Sequence, residues 1–181
     1  MDPSFSIIVS FSKNKRGIGY NNQIPWNIPS NSEHFHNITC STNDFRKRNA
    51  VIMGRKTFDY LKEKENLLPE RLNIVLSKSL QIQESKHLIV VSSLQDAFLK
   101  IQKRSDIENV FVIGGESVFK EAIGLPNCRK IFVTIVDDSV YHFDCFFPII
   151  PDSFIFKYMS PLNTENHFHF RFLEYEKMVH S

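Results

Sequence analysis

The stretch 109–123, NVFVIGGESVFKEAI, restricts the fold more than any other part of the chain. A continuous apolar run ends on Gly114 and Gly115, and an amphipathic segment begins at once. Continuous apolar runs mark strands that are covered on both faces. A helix starting at the carboxyl end of such a strand is the repeating unit of a parallel sheet. The alternation recurs along the chain. SIIVSF (6–11), AVIMG (50–54), NIVLS (73–77), HLIVV (87–91) and KIFVTIV (130–136) read as further buried strands, and residues 31–37, 56–62, 93–102 and 117–123 carry helical patterns. Ser93 is placed to cap LQDAFLKIQ, with Asp96 at the third helical position. The tail HFHFRFLEYEK (167–177) alternates and reads as one or two antiparallel strands.

The expected fold is α/β: a central, mostly parallel, twisted sheet with an antiparallel C-terminal edge and helices on both faces. No repeat, low-complexity tract or Pro/Gly linker divides the 181 residues, and 42% hydrophobic content suits one sizeable core. A single domain over 1–181 is expected. The net charge of +2 is spread along the chain, and the densest basic run, Arg46-Lys47-Arg48, reads as a solvated loop. That argues against nucleic acid as a partner. Cys40, Cys128 and Cys145 form neither a CxxC pair nor a disulfide framework, which points to a reduced, cytoplasmic protein. The N-terminus lacks the basic region of a signal peptide, and no apolar run is long enough to span a bilayer. The seven histidines, His34 and His36 among them, show no metal-ligand spacing supported by other ligands, so no metal is expected.

Two junctions carry chemistry. At Gly114-Gly115, backbone can approach a ligand closely beside a helix N-terminus. MGRKTF (53–58) repeats the arrangement, with Arg55, Lys56 and Thr57 opening a helix after Gly54. Two strand–Gly–helix junctions in one α/β domain favour a nucleotide cofactor, because ligands collect at the carboxyl ends of the strands.

GIGYNNQIPWNIP, NAVIMGRKTF, LPERLNIVLSKS, VFVIGGESVFKEAI, IFVTIV and FDCFFP resemble, in order and spacing, the segments of chromosomal-type dihydrofolate reductase. The resemblance implies NADPH-dependent reduction of 7,8-dihydrofolate to tetrahydrofolate, by a monomer with a functional link to thymidylate synthase. It places Gly19, Ile24 and Trp26 in the loop over the nicotinamide. The cofactor site it implies comprises Ser10, Ile18, Gly19, Gly54, Arg55, Lys56, Thr57, Ser77, Lys78 and residues Gly114, Gly115, Glu116, Ser117, Val118 and Phe119. Ser77 and Lys78 correspond to the 2′-phosphate site. Ser92 stands where many relatives have a cation. Phe35, Leu61 and Leu68 correspond to the apolar walls around the substrate, Ile8 and Ile113 to backbone carbonyls at the pterin edge, and Arg71 to the arginine that grips the glutamate tail. Thr134 corresponds to the hydroxyl beside the catalytic acid, and Gly114–Gly115 to a cis peptide.

The acid itself is missing. Counting back from Phe35 and Thr39, or forward from Trp26, the carboxylate slot falls on Asn31. Glu33 lies two residues on, roughly 200° around a helix. Asn31 offers one accepting oxygen and one donating NH₂ where a carboxylate would accept two hydrogen bonds. Phe119 stands where relatives carry a tyrosine, Ser32 replaces a larger apolar residue, and Glu70 replaces a glycine before Arg71. Three readings follow: a reductase with altered proton delivery, a catalytically weak or inactive NADPH- or folate-binding protein, and a riboflavin-pathway-type reductase. The last would have no reason to keep Phe35, Arg71 and the Trp26 loop together.

Overall fold

In the computed structural model, which describes residues 2–64, 67–137 and 142–178, the strands and helices alternate as the sequence implies. The order is β1 (Phe5–Ser12), β2 (Gly17–Gly19), α1 (Pro29–Cys40), β3 (Arg48–Gly54), α2 (Arg55–Glu63), β4 (Leu72–Leu76), β5 (Leu88–Val91), α3 (Leu94–Gln102), β6 (Ile107–Val112), α4 (Glu116–Ile123), β7 (Cys128–Asp137), β8 (Cys145–Phe146), β9 (Phe154–Met159), β10 (Asn163–Glu165) and β11 (Phe168–Lys177). The main sheet runs β10-β11-β7-β1-β6-β3-β4-β5, with β9 also on β11. From β7 to β5 every pairing is parallel. β9, β10 and β11 add antiparallel.

Side-chain alternation along each strand divides the core between two faces. Ile7, Val9, Val112 and Ile131 face α3 and α4, which contribute Phe98 and Phe119 to that layer. Ile8, Val51, Met53 and Phe111 face the other way, where Phe58 of α2 and Phe35 and Ile38 of α1 cover them. A third cluster of Trp26, Ile28, Val136 and Phe170 closes the end near the β2–β8 ribbon.

Boundaries differ modestly from expectation. Helix α1 begins at Pro29, since proline at the first helical position has no N–H to leave unpaired. The strand read as 109–115 stops at Val112, before the glycines. Ser93 caps α3, accepting from Asp96 N–H at 3.1 Å. Strands β9 and β10 are not among the expected elements. FIFKYM buries only its first residue, and NTE is three residues long.

Helix α1 has no side-chain cap of its own and no acid in its first turn. Glu165, on β10, supplies one by accepting the Ser30 N–H at 2.9 Å. A carboxylate here satisfies an orphan donor and meets the positive end of the helix dipole. Glu165→Ala should destabilise the protein by about 1 kcal/mol, and Glu165→Gln by less because an acceptor remains. Urea denaturation measures both. Equal stability of all three proteins would mean that water replaces this cap without loss.

Candidate active site

The sheet face under α1 carries a polar row beside the apolar cluster. Ser10 of β1 pairs in register with Thr134 of β7, which pairs with Phe172 of β11. Above that row lies the first half of α1. Asn31, Phe35 and Ile38 share its inner face, and the His34 ring stacks on Phe172 with centroids 3.8 Å apart. Burial against that ring lowers the His34 pKa below its ordinary 6.5. Thr134 is buried, Asn31 is half-buried, and Glu33 is exposed on the outer side of the helix. The carboxylate nearest in sequence to Asn31 therefore points away from this face.

Two buried polar atoms near this row have no hydrogen-bond partner among the described residues: Ser10 Oγ and Trp26 Nε1. Buried polar groups are nearly always satisfied, so such atoms mark where a ligand group or ordered water belongs. Trp26 is buried against Phe143, 6.2 Å between centroids. The loop it ends is tied down by β2–β8 pairing and by Asn21 N–H donating to Asp144 at 2.8 Å. Ile18 packs on the layer beneath and Gly19 lies on the paired ribbon. Ile24 is exposed.

Ile8, Phe35, Leu61, Leu68 and Ile113, from five separate segments, meet in one apolar cluster. Arg71 closes one end of it. Its guanidinium is buried, with Nε donating to Pro69 O at 2.9 Å and Nη1 to Thr39 Oγ1 at 2.7 Å. Thr39 in turn donates to Phe35 O at 2.8 Å. Burial lowers the Arg71 pKa, while the nearby Cys40 and Glu70 oppose that shift. Nη2 carries no acceptor among the described residues, which leaves one edge of the fork open. Asn73 Nδ2 pins the approach to Arg71 by donating to Leu68 O at 2.9 Å.

At the other end, the two glycine junctions prove to be one structure. Gly54 N–H donates to Gly114 O at 2.7 Å, and a Cβ on Gly54 would stand 3.1 Å from Val118. Gly114 has φ 116°, which L side chains rarely adopt, and a Cβ there would press on the Phe119 ring at 3.1 Å. The Gly114–Gly115 bond is cis. Gly54 and Gly115 are the caps of α2 and α4 and have no side-chain hydrogen bond to offer, so both helix N-termini keep free N–H groups beside Thr57. That is an anion cradle by construction. Phe119 packs edge-on to Phe147, 5.0 Å between centroids.

Not every expected ligand is free. Arg55 Nε is held by both carboxylate oxygens of Asp59, at 2.8 and 2.9 Å, and Glu116 pairs with Lys120 at 2.8 Å. Lys56, Lys78 and Ser117 are exposed. Beyond β4 and β5 a cleft of about 580 Å³ is lined by Ser77, Leu80, Ile82, Glu84, Val91 and Ser92. Ser77 Oγ accepts the Leu80 N–H at 3.1 Å, and Ser92 donates to Asp96. Glu165 and Asn73 are supports that no sequence motif singles out, and the bond from Arg71 to Thr39 is likewise set by the fold. Among the described residues, no helix is long and apolar enough to cross a membrane.

Residues 4–177 match the family model described as dihydrofolate reductase. The chain is 39% identical to the dihydrofolate reductase of Drosophila melanogaster over 83% of this chain and 82% of that protein. It is 36% identical to the dihydrofolate reductase of Aedes albopictus, over 83% and 82%. It is also 36% identical to bifunctional dihydrofolate reductase-thymidylate synthase 2 of Arabidopsis thaliana, over 83% of this chain but only 27% of that longer protein.

Proposed function

This chain belongs to the dihydrofolate reductase family, and on that premise we propose that, as a single domain, it reduces 7,8-dihydrofolate to tetrahydrofolate with NADPH, with proton delivery altered by Asn31. One observation carries the reading: an apolar cluster bounded by a half-committed buried arginine at one end and by paired glycine junctions at the other. A flat heterocycle bearing an acidic tail and lying against a dinucleotide fits those three parts. Thymidylate synthase, joined to the reductase in the Arabidopsis relative, is the functional neighbour this reading suggests.

The residues divide the work. Phe35, Leu61 and Leu68 exclude water from the faces of the ring system and of the aromatic ring that follows it. Arg71 offers Nη2 to the tail carboxylate while Thr39 and Pro69 fix its plane. The N–H groups of the first turns that follow Gly54 and Gly115, with Thr57 and Lys56, hold the cofactor diphosphate, and Lys78 with Ser77 holds the 2′-phosphate. Ser10 and Ile18 border the nicotinamide, which supplies the hydride to C6 when the cofactor is bound. Asn31 holds the pterin edge through its single acceptor and Thr134 orients that amide. Neither can raise the proton affinity of N5 as a carboxylate would, so the proton must come from solvent.

NADPH oxidation coupled to tetrahydrofolate formation tests the reading. Turnover should be slow and should rise as pH falls from about 8 to about 5. No product at any pH, with NADPH still bound, would leave a binding protein of the same family. Lys78→Met should raise KM for NADPH about tenfold and leave KM for NADH unchanged, because only the former carries the 2′-phosphate. Equal effects on the two would move the 2′-phosphate away from Lys78.

A further inference from the structure

The far end of α1 holds a second cluster of ligand-type side chains. His36 and Cys40 are one turn apart and share an outward face, with Nδ1 and Sγ 3.7 Å from each other. Glu70 reaches them from the segment before β4, held there at φ 63°, a left-handed conformation uncommon for a residue with a side chain. One ligand atom from each of the three lies within 4.8 Å of the others. Tetrahedral zinc, with bonds of about 2.3 Å to sulfur and about 2.0 Å to nitrogen, needs those two atoms about 3.5 Å apart. The His36–Cys40 pair already has close to that spacing.

We propose that His36, Cys40 and Glu70 form a site for a thiophilic divalent metal, zinc above all, that joins the C-terminal end of α1 to the segment carrying Arg71. The donor set of imidazole, thiolate and carboxylate suits zinc better than a hard cation such as magnesium or calcium. Binding exchanges the Cys40 thiol proton for the metal and releases that proton to solvent, and the exposed side of His36 and Glu70 leaves the fourth position to water. The Cys40 thiolate and the Glu70 carboxylate together offset the metal's own two positive charges. Cys40 and Glu70 both lie close enough to Arg71 to act on its charge, so a metal bound there is felt at the guanidinium. Sequence spacing hides the cluster, because Glu70 stands thirty residues beyond Cys40 and only the fold brings them together. If the chain works as a reductase, the metal stiffens the grip on the substrate tail.

Cobalt(II) reports directly on such a site. Chelator-stripped full-length protein titrated with cobalt should develop a thiolate-to-metal charge-transfer band saturating at one equivalent, and zinc should abolish it. Cys40→Ser should remove the band, and His36→Asn and Glu70→Gln should each weaken cobalt binding at least tenfold, about 1.4 kcal/mol, with the folded state of each variant verified by circular dichroism. No band in the wild-type protein would overturn the site, as would a band that survives Cys40→Ser and so arises from Cys128 or Cys145. The spectrum needs no turnover, so failure of the reductase assay and failure of the metal site are read separately.

Discussion

Asn31→Asp is expected to raise kcat/KM for dihydrofolate at neutral pH by ten- to a hundredfold or more, and to flatten the pH profile. The magnitude follows from the exchange at the pterin edge. An aspartate accepts two hydrogen bonds with full charge, while the amide accepts one and sets a donor against a donor. A charge-assisted pair is worth roughly 1.5–3 kcal/mol, which sets the range. The pH effect has a separate origin. On the proposed reading, with an amide in place of a carboxylate on the inner face of α1, N5 would take its proton from solvent, so the wild-type rate should climb as pH falls. A negative charge beside the ring raises the proton affinity of N5 and holds the rate up at higher pH. The sheet row beneath should accept the change: Thr134 is buried in that row, and Ser10 Oγ beside it has an unfilled hydrogen-bonding position. Steady-state kinetics across the pH range, with Asn31→Ala as the control for lost contact alone, decide it. Equal profiles for the wild type and Asn31→Asp would place the proton-controlling group elsewhere.

What the sequence reveals about this molecule depends on how local each cause is. The parallel strands are legible because runs such as AVIMG and NIVLS are apolar on both faces, and the structure covers both. The Ser93 cap is legible because donor and acceptor lie three residues apart. Asn31 can be placed on the face of Phe35 because helical spacing alone decides it. The same reasoning cannot find Glu165, which caps α1 from 135 residues away, nor the hydrogen bond that merges the Gly54 and Gly114 junctions into one cradle. Arg55 is an intermediate case. Its phosphate role rests on the helix start, yet Asp59, four residues on, takes the guanidinium in a local pair. Strand β10 escapes because NTE is short and polar, and β9 because FIFKYM is apolar on both faces without alternation although only its first residue is buried. Side-chain supports are the least legible class, since Thr39 and Asn73 matter only through the arginine segment they hold.

Arg71→Lys should raise KM for dihydrofolate a hundredfold or more, about 3 kcal/mol, with a much smaller change in kcat. The guanidinium is fixed by two bonds, Nε to Pro69 O and Nη1 to Thr39 Oγ1, and the proposed function gives Nη2 to the tail carboxylate. A lysine ammonium is a single point on a flexible stem and cannot span all three. Its burial makes the loss worse, because an ammonium drawn back to solvent leaves Thr39 Oγ1 with its own bond to Phe35 O and nothing beyond it. The tail carboxylate would then face an apolar wall without a fixed partner. Binding of the tail is made equally in the ground and transition states, so the loss belongs in KM and not in kcat. A dihydropterin lacking the glutamate tail separates this role from packing: wild type and Arg71→Lys should turn it over with the same KM. A parallel rise in KM for the tail-less substrate would show that Arg71 shapes the pocket through Thr39 and Phe35 and does not hold the carboxylate.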